Sequence, residues 1–203
     1  MGDVSPGSPS GDPIATFVAW WAEAKRPGVL DEPAAMVLST VGSTGAPSSR
    51  VVLLRGVDVR GFVFYTNLTS HKGREVQANP QVALNMHWAP LHRQVRVQGT
   101  ATPVSAAEAD AYFAGRPRES QIGSWASQQS AAIPTDTTLA AAVAAATARF
   151  AAVEHIPRPP HWSGFRVLPS RLEFWQEGAF RLHHRTLWER TGAGVWTHSA
   201  LFP

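Results

Sequence analysis

The chain has 203 residues, 44% hydrophobic and 16% charged, with a formal net charge of +3. That is a globular composition with enough chain for a substantial core, and it lacks the block of basic residues that marks a nucleic-acid binder. It contains no cysteine, which excludes a disulfide framework, thiolate metal sites and cysteine nucleophiles.

Residues 1–11 read as a flexible leader without the basic and apolar regions of a signal peptide, and 12–203 as a single domain. No apolar run approaches the roughly 18 residues of a membrane-spanning helix, so the expected location is the cytoplasm and the expected partners exclude membranes. Asp12-Pro13 predicts a helix start, and Ile14, Phe17, Val18, Trp20, Trp21 and Ala24 recur at helical spacing until Pro27-Gly28. Short strands are predicted at 35–41, 49–57 and 62–66, then a helix at 71–79 and strands at 82–88 and from 94 towards 104. Ser105-Ala106-Ala107-Glu108 has capping-box form and opens a helix to about Ala114; an Ala-rich helix is expected at 137–152. The last third returns to strand at 164–168, 171–176, 180–188 and around Trp196. The fold class is therefore mainly β with flanking helices (α+β), a small antiparallel barrel. No alternation of strand and helix and no Gly-x-Gly-x-x-Gly supports a dinucleotide fold.

The eight histidines, at 71, 87, 92, 155, 161, 183, 184 and 198, show no pair at the i, i+4 metal spacing, so no metal is expected. His183 and His184, as neighbours on a strand, should face opposite ways. The positive signal is anion-binding groups. Ser49-Arg50 opens a strand that ends in Arg55. The run from Tyr65 to Gly73 places hydroxyls and Lys72 just before a helix, where backbone amides favour phosphate, and Arg116 to Ser120 repeats the combination in a tight loop. Small phosphate-bearing ligands fit three such clusters better than a polyanion does.

The ordered series Ser49-Arg50-Val51-Val52-Leu53-Leu54-Arg55, Gly61 to Asn67, Ser70-His71-Lys72-Gly73, Arg93-Gln94-Val95, Tyr112-Phe113 with Arg116 to Gly123, Gln129-Ser130, Glu173-Phe174-Trp175-Gln176 and Arg181-Leu182-His183-His184-Arg185 resembles the pyridoxamine 5′-phosphate oxidase family over residues 12–203. The resemblance implies an FMN-binding split β-barrel that works as a homodimer with its flavin sites at the subunit interface. It places Arg50, Val51, Val52, Leu53, Leu54, Arg55, Tyr65, Thr66, His71, Lys72, Gln94, Gln129, Ser130, Trp175 and Arg185 around FMN. Arg55, Tyr112, Arg116 and Ser120 would hold the phosphate of a B6 vitamer, with Arg181 and His183 beside its ring as catalytic residues.

The implied reaction converts pyridoxamine or pyridoxine 5′-phosphate to pyridoxal 5′-phosphate, with transfer of hydride to the flavin, reoxidation by O2 and release of H2O2. Alternatives are a related flavin oxidase acting on another ring compound, as in phenazine biosynthesis, and a non-catalytic FMN or pyridoxal-phosphate binder. The chain departs from the family pattern at Arg55, where lysine is usual, and at His71, where arginine is usual. It also departs at Ala200-Leu201-Phe202-Pro203, where the pattern is Arg-Leu-x-Pro, and it has no counterpart of an N-terminal Arg-x-x-Tyr lid. If His71 faces the flavin phosphate, affinity should weaken as pH rises through the imidazole range.

Overall fold

The computed structural model describes residues 11–135 and 137–203, so the reading of a leader at 1–11 lies, but for Gly11, outside the described residues. Helix α1 (Pro13–Ala24) starts where Asp12 predicts: the Asp12 carboxylate accepts a hydrogen bond from the Ile14 amide at 2.9 Å. Its Phe17 is fully buried, edge-on to Phe62 with ring centroids 4.8 Å apart. Next come β1 (Ala35–Val41), β2 (Pro47–Leu53), β3 (Gly56–Asp58), β4 (Gly61–Asn67), α2 (His71–Ala78), β5 (Gln81–Trp88) and β6 (Arg93–Pro103). Helices α3 (Ala106–Ala114), α4 (Arg118–Ala126) and α5 (Leu139–Arg149) precede β7 (Trp162–Gln176), β8 (His184–Arg190) and β9 (Trp196–Leu201). Among the described residues, no helix is long and apolar enough to cross a membrane.

All strand pairings are antiparallel, in one nine-stranded sheet of order β2-β1-β5-β6-β7-β4-β3, with β8 added to β7 and β9 to β8. The long strand β7 organises it. One edge pairs with β6 along its length; the other pairs with β4 over 162–167 and with β8 over 171–176. The sheet therefore splits at 168–170, where Gln98 faces Arg171 but Gly99 faces Pro169, leaving Ser170 as the extra residue of a bulge. Alternation along β6 buries Val95 and Val97 fully in the barrel and turns Gln94, Arg96 and Gln98 outward. A second, smaller core, built on Phe113, Ile122, Phe150 and Trp162, holds the helices against the barrel's flank.

Four local expectations change. The predicted strand 49–57 is broken because the chain changes partner there: the Leu54 amide donates to Ala34 and the Arg55 amide to Val63, both at 2.8 Å. The predicted strands 164–168 and 171–176 are one, joined through the bulge. The segment at 116–120, expected as a loop, opens α4; Pro117 is its N-cap (φ −51°, ψ 142°) and its carbonyl accepts from the Gln121 amide. The strand predicted from Phe180 begins only at His184, because Phe180 (φ 56°) and Arg181 (φ 66°) are left-handed and turn the chain. His183 thus precedes the strand instead of alternating with His184 on it. The capping box is half made: Ser105 accepts from the Glu108 amide at 3.1 Å, but the Glu108 carboxylate pairs with Arg166 at 2.6 Å.

Candidate functional site

A cavity of about 460 Å³ lies between β2 and β4 on the barrel and α3 and α4 beside it, a volume typical of small-molecule sites. Arg55, Lys72 and Arg116 line it, and among the described residues no carboxylate does. Among the described residues none of these three cations has an acidic side chain within 4.0 Å.

The change of strand partner at 54–55 delivers Arg55. Lys72 stands in the first turn of α2, capped by Ser70, which accepts from the Gly73 amide at 3.2 Å and donates to the Asn67 carbonyl at 2.7 Å. Gly73 is required there: a Cβ would lie 2.5 Å from the carbonyl oxygens of Asn67 and Leu68. Lys72 Nζ donates to Gln129 Oε1 at 2.8 Å, and the Thr66 hydroxyl reaches the same oxygen at 3.4 Å. Burial, and secondarily the nearby Arg50 charge, pulls the Lys72 pKa below its ordinary value.

The other end is aromatic and helical. Tyr65 and Tyr112 stack with ring centroids 4.0 Å apart, and Trp162 lies parallel to Tyr65 at 5.2 Å. Gly164, paired with Tyr65 across the sheet, permits this, since a Cβ would approach the Tyr65 ring to 2.6 Å. The Arg116 guanidinium sits over Trp162, 4.8 Å from the ring centroid. Burial lowers its pKa; Tyr112 opposes that and neighbouring Arg55 adds to it. Cations that are partly desolvated and unpaired leave the site short of an anion, which an oxygen-rich group such as phosphate supplies.

Of the candidates from sequence, Val51, Val52, Leu53, Arg55, Tyr65, Thr66, Lys72, Tyr112, Arg116, Ser120 and Gln129 come together around this cavity. Leu54 points into the barrel core at 2% exposure, and Ser130 follows Gln129 in an exposed turn with φ 72°. Arg50 and His71 turn instead to Glu75, their nitrogens 3.0 and 2.9 Å from its carboxylate. Thr40 and Ser48 donate to that carboxylate at 2.6 and 2.7 Å. Burial works against the charge on Glu75, but the Thr40 and Ser48 hydrogen bonds, His71 and Arg50 outweigh it and hold the pKa at about 2.

The remaining candidates form a separate group. Gln94 faces Trp175 across β6 and β7, and Trp175 faces Arg185 across β7 and β8, so three residues far apart in sequence share one row. The His183 ring lies 4.7 Å from Trp175, just beyond the left-handed Arg181. Glu173, next along the same face, accepts from Arg96 Nη1 and Arg185 Nε, each at 2.9 Å. Along β7 this row is separated from the cavity by up to about 36 Å of extended strand between Gly164 and Trp175. Reasoning from sequence gave no role to Glu75, Glu173, Ser124 or Trp162. Only Glu75 carried a usable signal, its i, i+4 spacing from His71 on a helix.

Residues 22–150 match the family model described as pyridoxamine 5′-phosphate oxidase, and 162–203 match the model of a pyridoxine 5′-phosphate oxidase C-terminal dimerisation region. The chain is 54% identical over 194 residues to a pyridoxine/pyridoxamine 5′-phosphate oxidase of Sphingopyxis alaskensis, covering 96% of this chain and 88% of that one. It is 53% identical over 193 residues to the protein of the same name from Azorhizobium caulinodans, covering 95% and 90%. Among solved structures, PhzG from Burkholderia lata in complex with tetrahydrophenazine-1-carboxylic acid superposes with a TM-score of 0.89 at 34% identity, covering 97% of this chain and 95% of that one. A pyridoxamine 5′-phosphate oxidase-related, FMN-binding protein from Nostoc punctiforme shares the fold, with a TM-score of 0.76 at 17% identity over 96% of this chain and all of that one. The split-barrel sheet and the matches over nearly the whole chain lead to one assignment: the chain belongs to the pyridoxamine 5′-phosphate oxidase family and is a flavin-dependent oxidoreductase of that kind.

Proposed function

We propose that the protein is an FMN-dependent oxidase that converts pyridoxamine or pyridoxine 5′-phosphate to pyridoxal 5′-phosphate in the cytoplasm, with O2 as electron acceptor. The observation that carries this reading is the cavity lined, among the described residues, by three cations and no carboxylate. Two phosphates suit it, one on the flavin and one on the substrate. The donor set fits FMN at the α2 end, where Lys72, Gln129, Thr66 and the helix N-terminus face the cavity. Held there, FMN would supply two-electron redox chemistry between the substrate and O2.

The chain's own residues bind, orient and exclude water. Arg55, Arg116, Tyr112 and Ser120 hold the substrate phosphate, and the stacked Tyr65, Tyr112 and Trp162 form one wall of the cavity. Arg181 and His183, with the Gln94–Trp175–Arg185 row, do not line the cavity of their own chain. They complete the cavity of a second copy, so the working unit is a homodimer. There Arg181 stabilises charge developing next to the reacting carbon, and His183 orients the ring. Arg50 and His71 support the flavin end through Glu75 without lining the cavity.

The similarity to a solved structure holding a tricyclic carboxylate favours, as the second reading, a phenazine-type ring substrate against the same aromatic wall. The test is spectroscopic. Purified protein should carry flavin absorbance, release FMN on denaturation, and bleach on anaerobic addition of pyridoxamine 5′-phosphate. Recovery of FAD alone, or no bleaching with any B6 vitamer, overturns the reading. Sedimentation of a flavin-loaded monomer at micromolar concentration overturns the shared site.

A further inference from the structure

We propose that Ser124 is a positioning residue for the substrate phosphate: it takes one edge of the Arg116 guanidinium and so fixes which N–H groups of that arginine face the ligand. This rests on the reading of Arg116 as a phosphate ligand. Arg116 Nη1 donates to Ser124 Oγ at 2.6 Å, and Ser124 Oγ donates to the Ser120 carbonyl at 2.9 Å. With its one proton committed to that carbonyl, the hydroxyl presents only lone pairs to the guanidinium. Ser120 and Ser124 are one turn apart on α4, so they share a helix face, and both line the cavity with Arg116.

The rest of Arg116 is held by groups that are also neutral. Trp162 lies against the guanidinium face. Buried Gln121 donates through Nε2 to the carbonyls of Phe113, Ala114 and Arg116 at 3.0, 3.2 and 3.2 Å, tying down the turn from which Arg116 extends. A carboxylate could fix the same arginine, but it would cancel the charge that an anionic ligand needs. Serine fixes it and leaves the charge intact. Among the described residues nothing hydrogen-bonds to Arg116 Nε or Nη2, and these, with the second N–H of Nη1, are the donors left for phosphate.

The experiment uses the full-length, flavin-loaded protein and its Ser124→Ala variant. Steady-state kinetics are measured with pyridoxamine 5′-phosphate and with unphosphorylated pyridoxamine, and inorganic phosphate binding is measured by calorimetry. The variant should show a KM about tenfold higher for the phosphorylated substrate and phosphate binding weaker by a similar factor. Its kcat, its KM for pyridoxamine, its flavin content and its melting temperature should stay unchanged. A wild-type KM and wild-type phosphate binding overturn the positioning role, as does an equal defect on both substrates. Arg116→Ala separates this failure from that of the underlying reading. If Arg116→Ala leaves phosphate affinity intact, the cavity reading fails; if it weakens affinity and Ser124→Ala does not, only the role of Ser124 falls.

Discussion

The chain uses arginine in two opposite ways. On the face of β2 shared with Ser48, and on β6, Arg50 and Arg96 are tied to Glu75 and Glu173, two carboxylates each with side chains only 9% exposed. Around the cavity, Arg55 and Arg116 face one another's field with neutral partners only, a stacked indole and a serine hydroxyl in the case of Arg116. The first kind of site is electrostatically complete and contributes to the fold; the second lacks a counter-charge and is the one proposed to bind ligand. Counting basic residues cannot separate them. What separates them is where the few buried carboxylates sit.

The largest effect that would sharpen this comparison is at Glu75. Glu75→Ala removes the acceptor of two hydroxyls and the counter-charge of Arg50 together, and should cost about 3 kcal/mol of stability. For a chain of this size that lowers the melting temperature by about 6–12 °C. A loss within the ~0.5 kcal/mol typical of surface substitutions would show that the network is ornamental and that the contrast drawn here is false. Arg116→Ala should do the reverse. Its melting temperature should match the wild type, while KM for pyridoxamine 5′-phosphate rises ten- to a hundredfold, about 1.5–3 kcal/mol, at constant kcat. Arg116→Lys should recover part of this, because charge returns without the planar fork. Next in size is Lys72→Met. Titration of apoprotein with FMN, followed by flavin fluorescence, should give a Kd about tenfold weaker, or about 1.4 kcal/mol. An unchanged Kd would move the flavin phosphate away from the α2 end of the cavity.

Much of this was legible in the sequence because period and punctuation agreed. Asp12-Pro13 did cap α1, and the strand expected from 94 towards 104 is β6. Tyr65, Lys72 and Arg116 stood in runs readable as anion-binding near turns, Tyr112 entered only through the family resemblance, and the fold gathers all four. The start of α4 was hidden because Arg116-Pro117-Arg118 carries turn chemistry, whereas Pro117 here serves as the cap of a helix. Residues whose role depends on a partner were illegible for a plainer reason. Ser124 on a helix looks like any solvent serine until Arg116 is found 2.6 Å away, and Glu75 shows only its i, i+4 spacing from His71 until Thr40 and Ser48 are found donating to it. His71 was expected at the flavin phosphate; its ring instead meets Glu75.

The smallest effect is a slope, and it tests the same contrast under acid. Glu75 ionises at about 2 in the folded protein against an ordinary 4.5. A depressed carboxylate contributes stability that is fully present above its unfolded value and is lost as pH falls towards the folded one. Urea unfolding at a series of pH values should therefore show stability falling between about pH 4.5 and 2 in the wild type, and less steeply in Glu75→Gln. Asp58, whose pKa is also lowered, chiefly by the Arg60 hydrogen bond, is common to both proteins, so the difference between the two curves isolates Glu75. Arg116→Ala should follow the wild-type acid limb throughout, because among the described residues no carboxylate lines the cavity to titrate against it. If Glu75→Gln has the wild-type slope, or if Arg116→Ala alters it, then the division between arginines neutralised by the fold and arginines reserved for ligand does not describe this protein.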